Sequence, residues 1–126
     1  MRDTSCLITI RGEFPSLNEF IDANRIKRGA WSKGNSMKQR DQKIIQKQLP
    51  KVRYEKAVRL HYTYFCRTRR RDLDNISGYF HKVFQDALVT AGVLPNDNWR
   101  YIVGFSDSFE LDRKDPRIEV KVEVVT

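Results

Sequence analysis

The chain has few of the residues that build disulfide-stabilised or zinc-binding domains. Its 126 residues include only 2 cysteines, Cys6 and Cys66, and 2 histidines, His61 and His81. Two cysteines this far apart form neither a disulfide framework nor a zinc knuckle, and they suit a reducing compartment. A metal site of nitrogen and sulfur ligands would need all four residues to converge. Any bound metal is therefore expected to have oxygen ligands.

Long hydrophobic runs are also missing from the sequence. No apolar stretch approaches the roughly 18 residues that a membrane helix needs. The first ten residues alternate as in a strand and lack the small-residue cleavage site of a signal peptide. We therefore expect a cytoplasmic protein with no membrane partner. The length suits one domain covering residues 1–126.

Acidic residues are scarce in the first half of the chain. The net charge is +8, and residues 25–56 alone contain 11 basic and 2 acidic residues. A nucleic-acid partner would explain this excess, because neutralised phosphates release counterions. A solvated basic surface that keeps the protein soluble is the alternative.

Hydrophobic periodicity predicts the elements of the N-terminal half. A strand is expected at 6–11, and a capping box at Ser16 and Glu19 predicts a short helix to about residue 24. Residues 25–34 are basic and contain glycine, which predicts a loop. A second capping box, formed by Ser36 and Gln39, predicts a helix that ends at Pro50.

The C-terminal half has clearer patterns. Residues 58–64 alternate as a half-buried strand, and a helical pattern runs from Asp74 to Gly92. Two further strands, near 101–109 and 118–124, are separated by a polar turn. These patterns predict a single α+β domain, with a mixed sheet of about four strands, about three helices and a closing β-hairpin.

The segment Arg69-Arg70-Arg71-Asp72-Leu73-Asp74-Asn75 is the best candidate for chemistry. On an extended segment just before a helix, Asp72 and Asp74 would point the same way and could share a cation. Mg²⁺ binds such carboxylates and assists phosphodiester hydrolysis. Helix capping by either aspartate is the simpler alternative.

Several elements in order resemble the RusA-like Holliday junction resolvases. That pattern is D-x-D-N, a helix with K-x-x-x-D-A-L, then A-G and a loop ending in aspartate. The matching residues here are Asp72, Asp74, Asn75, Lys82, Asp86, Ala87, Leu88, Ala91, Gly92 and Asp97. The sequence departs from the bacterial pattern by about one extra helical turn before Lys82 and by Asn96 in place of an aspartate.

The resemblance implies a homodimeric endonuclease that resolves four-way DNA junctions by paired nicks. It implies Mg²⁺, with Mn²⁺ as a possible substitute, held by Asp72, Asp74 and Asp97. It also implies a catalytic role for Lys82, for which an ordinary solvated lysine is the alternative. The DNA-binding residues expected from the basic segments are Arg69, Arg70, Arg71, Lys27, Arg28, Lys33, Lys38 and Arg40.

Three other functions remain compatible with the sequence. A non-catalytic DNA-binding module would have the same basic segment, but it would not need three aspartates facing phosphate. A nuclease for flaps, forks or structured RNA would have the same site. A basic structural protein would tolerate replacement of all three aspartates.

Overall fold

The computed structural model of the chain describes residues 6–70 and 72–125, without the side chain of Asp74. Its strands are β1 (Cys6–Ile10), β2 (Lys27–Arg28), β3 (Trp31–Ser32), β4 (Val58–Cys66), β5 (Ile102–Leu111) and β6 (Arg117–Val124). Its helices are α1 (Leu17–Asn24), α2 (Lys33–Gln46) and α3 (Leu73–Thr90). The predicted α+β class, with three helices and a mixed four-stranded sheet, is confirmed.

The sheet has the strand order β1-β6-β4-β5. Strand β6 is antiparallel to both of its neighbours, whereas β4 and β5 are parallel. The three helices cover one face of this sheet. Alternate residues of β4, such as Leu60, Tyr62 and Tyr64, are buried there against Phe80 and Phe84 of α3. The period-two pattern of β4 and the helical pattern of α3 therefore build the core together.

The predicted closing hairpin is wrong, because β5 and β6 are not paired with each other. Helix α3 carries the chain back along β4, so β5 starts beside the beginning of β4 and runs parallel to it. The following turn then crosses the end of β4, where the Asp112 N–H donates to the Cys66 carbonyl. Strand β6 consequently lies on the other side of β4.

Hydrogen bonds between residues 112–117 stabilise the conformation of this crossing turn. The Asp112 carboxylate accepts bonds from the backbone N–H groups of Lys114 and Asp115 and from the Arg117 guanidinium. These bonds favour the ionised form and hold the pKa of Asp112 below its usual value. The turn therefore keeps a fixed path over the end of β4.

The starts of α1 and α2 compare differently with the sequence. The capping box of Ser16 and Glu19 is present at α1 as predicted. Helix α2 begins at Lys33, one turn earlier than expected, and its N-cap is Ser32 rather than Ser36. The Ser32 hydroxyl accepts a 3.0 Å hydrogen bond from the Asn35 N–H. The predicted loop at 25–34 contains the small β2–β3 hairpin, which places Ser32 at this position.

We predict that Ser32→Ala lowers the free energy of unfolding by about 1 kcal/mol, because it removes the capping bond of α2. Urea denaturation followed by circular dichroism measures the effect. Ser36→Ala is the matched control, since Ser36 lies within the helix, and it should change stability little. Equal losses in both variants would contradict the assignment of Ser32 as the cap.

A buried carboxylate joins α2 to α3. The Asp41 side chain is fully buried and accepts a 2.6 Å hydrogen bond from the Tyr79 hydroxyl. Its other oxygen accepts a bond from the Arg40 guanidinium at 3.4 Å. Burial, and then the bond to Asp41, raise the pKa of Tyr79, so its hydroxyl stays protonated and remains a donor. This contact fixes the basic helix α2 against α3, the helix that Asp72 precedes.

Candidate active site

The start of α3 presents a carboxylate that does not cap its helix. Asp72 is the N-cap residue, has an extended backbone and is exposed, and its side chain makes no capping hydrogen bond. The N-cap serines of α1 and α2 both accept such a bond. An N-cap aspartate normally accepts one as well. Helix capping, the simplest explanation for an aspartate at this position, therefore does not account for Asp72.

The expectation that Asp72 and Asp74 share an extended segment is wrong. Helix α3 begins at Leu73, so Asp74 is already its second residue. The side chain of Asp74 lies outside the described residues. Both positions belong to the first turn of α3, where the aligned peptide dipoles favour negative charge. The sequence pattern correctly located two aspartates at the start of one helix, but it assumed an extended backbone at both positions.

Basic side chains lie just before this helix end. Arg69 and Arg70 are exposed in the segment between β4 and α3, and the Arg70 N–H donates to the Thr68 hydroxyl at 3.3 Å. Arg71 lies outside the described residues. Two exposed guanidinium groups near Asp72 give this end of the molecule groups suited to binding phosphate.

A cavity of about 550 Å³ lies between the end of β4 and the first turns of α3. Phe14, Tyr64, Ile76 and Phe80 form part of its apolar wall. Its arginines are paired with acidic groups: Arg67 lies 3.7 Å from Glu13, and the lining also includes Arg40 and Arg117. The cavity therefore adds little uncompensated positive charge to the site.

Asp97 lies in the loop that precedes β5. It is exposed, and its N–H donates to the Asn96 side chain at 2.7 Å. The next residue, Asn98, accepts backbone bonds from Tyr101 and Ile102, which ties the loop to the first residue of β5. The Val58 N–H donates to the Tyr101 carbonyl, so this loop lies at the beginning of β4.

Asp72 and Asp97 therefore lie at opposite ends of α3. Asp72 follows the end of β4, whereas the Asp97 loop lies at its beginning. The 18 residues of α3 span about 27 Å. Among the described residues, no three His, Cys, Asp or Glu side chains are close enough to hold a metal. The structure does not bring Asp97 to Asp72 within one chain.

Lys82 lies halfway along α3, about 14 Å along the helix axis from its first residue. Its side chain is exposed. Because an extended lysine side chain is shorter than this distance, the structure does not bring Lys82 to Asp72 within one chain. One turn further on, Asp86 forms a 2.6 Å ion pair with Lys38 of α2.

The other expected DNA-binding residues form a basic surface on the β2–β3 hairpin and α2. Lys27, Arg28 and Lys33 are exposed, and Gly29 provides the positive φ of 59° that the hairpin turn requires. Lys38 differs from these three, because its ammonium group is already paired with Asp86. Arg40 is exposed but is also engaged by Asp41. The hairpin thus supplies the most accessible positive charge.

Comparison with known families agrees with the sequence pattern. The model of the family described as endodeoxyribonuclease RusA matches residues 27–123, which include Asp72, Asp74, Lys82, Asp97 and all the expected basic residues. The chain belongs to the RusA family. Strand β1 and helix α1 precede the matched region. A search of curated proteins found no match.

Membership of the RusA family confirms the predicted resemblance to Holliday junction resolvases and supports nuclease activity. The metal dependence found generally in the family agrees with an exposed carboxylate at the start of α3. None of the helices in the described part of the chain is long and apolar enough to cross a bilayer.

One polar cluster in this RusA chain had no sequence signal. The Asp107 carboxylate of β5 accepts hydrogen bonds from the His81 ring at 2.6 Å and from the Tyr64 hydroxyl at 3.0 Å. The His81 ring also packs against Tyr62 and Phe105. Burial and the neighbouring Asp107 charge raise the pKa of Tyr64, which remains a donor. This cluster fixes α3 to β5, and its partners are far apart in sequence.

Proposed function

We propose that the protein is a Mg²⁺-dependent endonuclease that resolves four-way DNA junctions by paired nicks, in recombination, repair or phage DNA processing. Its membership of the RusA family supports nuclease action on branched DNA. The single structural observation that supports a metal mechanism is the Asp72 carboxylate, exposed at an N-cap without a capping bond. A binding module alone would gain nothing from placing this charge beside arginines that face phosphate.

The residues at the start of α3 fit a hard cation. Asp72 offers carboxylate oxygens, which are the ligands that Mg²⁺ prefers, and Asp74 follows in the same turn of the helix. We propose Asp97 as the third ligand. When bound, the ion supplies charge stabilisation of the phosphate and activation of the attacking water.

A homodimer would complete this site. Because Asp72 and Asp97 lie at opposite ends of α3, a helix about 27 Å long, one metal can use both only if they come from different chains. In a two-fold symmetric dimer the exchange is reciprocal, which gives two equivalent sites. Two such sites suit a substrate with two similar strands to cut. We propose that each site takes Asp72 and Asp74 from one protomer and Asp97 from its partner.

The basic residues of the chain would then hold the DNA. Arg69 and Arg70 lie within three residues of Asp72 along the chain and would bind the phosphates around the cut bond. Lys27, Arg28 and Lys33 would bind the backbone of a junction arm, which positions DNA without reading its sequence. Lys82 has no demonstrated contact with the site, and its catalytic role stays a prediction.

Cleavage of a synthetic four-way junction tests the proposal. We expect symmetric nicks near the crossover in Mg²⁺, no nicks in EDTA, and no cutting of a linear duplex of the same sequence. Mn²⁺ added after EDTA treatment should restore cleavage. Junction binding without cleavage in either metal would instead support a non-catalytic module, and preferential cutting of flaps or forks would support a different branched substrate.

A further inference from the structure

Trp99 is the most exposed large apolar side chain in the described part of the chain. It is 92% exposed, whereas the other tryptophan, Trp31, is 48% exposed. A side chain that stays in water contributes almost no hydrophobic free energy to folding. Tryptophan is a large aromatic residue that proteins normally bury to a high degree. The fold therefore does not explain why a tryptophan occupies this position.

Side-chain hydrogen bonds fix the loop that presents Trp99. The Asn96 side-chain oxygen accepts bonds from the N–H groups of Asp97 at 2.7 Å and Asn98 at 3.2 Å. The Asn98 side-chain oxygen accepts a 3.0 Å bond from the Arg100 N–H, so it joins the residues on both sides of Trp99. Such bonds from asparagine to the backbone stabilise turns. A defined turn therefore holds Trp99 toward solvent.

The residues beside Trp99 favour nucleic acid over protein as its partner. The four exposed residues next to it in the loop are all polar: Asn96, Asp97, Asn98 and Arg100. The core of a protein interface is a cluster of apolar groups that is depleted of charged residues. Residues 95–100 instead offer a single aromatic ring beside a basic side chain. This combination is typical of surfaces that bind unpaired nucleotides, because bases stack on the ring while the cation binds the backbone.

The position of Trp99 places its ring near the proposed cut. Trp99 follows Asp97 by two residues, so their Cα atoms lie within about 7 Å of each other. Successive bases of one DNA strand are about 3.4 Å apart. A phosphate bound through Asp97 would therefore bring bases only a few steps along the strand to the Trp99 ring. This step rests on the proposed function.

Stacking on Trp99 requires a base with an accessible face. In a linear duplex each base lies between two neighbours, and it must leave the stack before a protein ring can cover it. At a branch point the helices meet, and a base leaves the stack at a lower cost than it does within a continuous helix. A stacking ring therefore favours branched DNA, whereas contacts from lysine and arginine to phosphate bind branched and linear DNA alike.

We propose that Trp99 stacks on an unstacked base at the branch point and that this contact makes the nuclease select branched over linear DNA. Trp99 is then a specificity-determining residue. It contacts neither the metal nor the attacked phosphate, and the chemistry stays with the aspartates.

Substitution of Trp99 tests its effect on selectivity. We expect Trp99→Ala to raise the Kd for a four-way junction in Ca²⁺ by about 5- to 150-fold, because one base–aromatic stack is lost, and to leave the Kd for linear duplex unchanged. Trp99→Phe keeps a ring and should retain most of the selectivity. Trp99→Leu keeps an apolar side chain without a ring and should behave as Trp99→Ala does. All three variants should melt at the parental temperature, because the side chain is exposed.

The second tryptophan provides the control for these variants. Trp31 is also exposed, and it lies on β3 in the basic hairpin. Trp31→Ala should leave the ratio of the junction and duplex affinities unchanged. An equal loss of affinity for junction and duplex in Trp99→Ala would overturn the inference, since Trp99 would then be a general DNA contact.

Tryptophan fluorescence measures the stacking contact directly. The chain has 2 tryptophans, so Trp31→Phe leaves Trp99 as the single emitter. We expect a four-way junction to quench the Trp99 emission in Ca²⁺, and a linear duplex of the same sequence to leave it nearly unchanged. Emission that responds to protein concentration without DNA, and not to the junction, would place Trp99 against a second copy of the chain and overturn the inference.

Cleavage separates this inference from the proposed function. If the parent chain nicks the junction in Mg²⁺ while Trp99→Ala keeps both parental affinities, the stacking contact is refuted and the nuclease stands. If the junction quenches Trp99 but the parent chain does not nick it, the proposed nuclease is refuted and the stacking contact stands.

Discussion

Asp72→Asn will bind a four-way junction as tightly as the parent chain but cut it at least about 100-fold more slowly. That loss corresponds to about 3 kcal/mol of transition-state stabilisation, within the range expected when a metal ligand loses its charge. Binding persists because the change removes a negative charge from a surface that faces phosphate. Gel-shift titration in Ca²⁺ and single-turnover cleavage in Mg²⁺ measure the two effects separately.

A second surface aspartate provides the control for this substitution. Asp22 of α1 is exposed and has only a 3.5 Å surface ion pair with Arg25, so Asp22→Asn should bind and cut as the parent chain does. Undiminished cleavage by Asp72→Asn would refute Asp72 as a metal ligand. A loss of both binding and cleavage, with the fold preserved, would make Asp72 a residue that supports DNA binding instead.

Mixing two inactive variants will restore nicking if the site is shared between protomers. Asp72→Asn and Asp97→Asn should each be inactive alone, because every site in either homodimer lacks one ligand. In a heterodimer of the two, one site lacks both ligands and the other is complete. Random exchange makes about half of the dimers heterodimers. We therefore expect single-strand nicks at about a quarter of the parental site number, without efficient paired cutting.

The same mixture would give no activity if both aspartates served one site within a chain, since each protomer would then lack a ligand. Co-expression of the two variants with different affinity tags, followed by purification on both tags, isolates the heterodimer. The measurement then does not depend on exchange of subunits between homodimers. Mixing Asp72→Asn with a second batch of itself controls for contamination by parent chain. An inactive, purified heterodimer would contradict a site shared between protomers.

Local chemistry explains why part of the fold was predictable. The alternation in β4 and the apolar spacing of α3 record which side of each element is buried, and both elements form as predicted. The capping box at Ser16 also acts over three residues only. The α2 cap was misplaced because Ser36 and Gln39 fit the capping-box pattern, whereas the use of Ser32 depends on the hairpin before it.

Contacts between distant segments explain what could not be predicted. The sequence contains no signal that β6 pairs with β4 rather than with β5, because this choice depends on where α3 returns the chain. The separation of Asp72 from Asp97 likewise follows from the length and direction of α3. The motif gives the order of the aspartates along one chain. That order does not indicate whether the aspartates of one metal site come from the same chain or from two chains.

The two outer strands of the sheet differ in length, so the two open edges differ in how readily another chain can bind to them. In the described part of the chain, β5 has ten residues and β1 has five. A long edge strand offers many backbone groups to a foreign strand, whereas a short one makes a poor template. Unwanted strand addition, which is the first step toward fibres, is therefore expected at the β5 edge before the β1 edge.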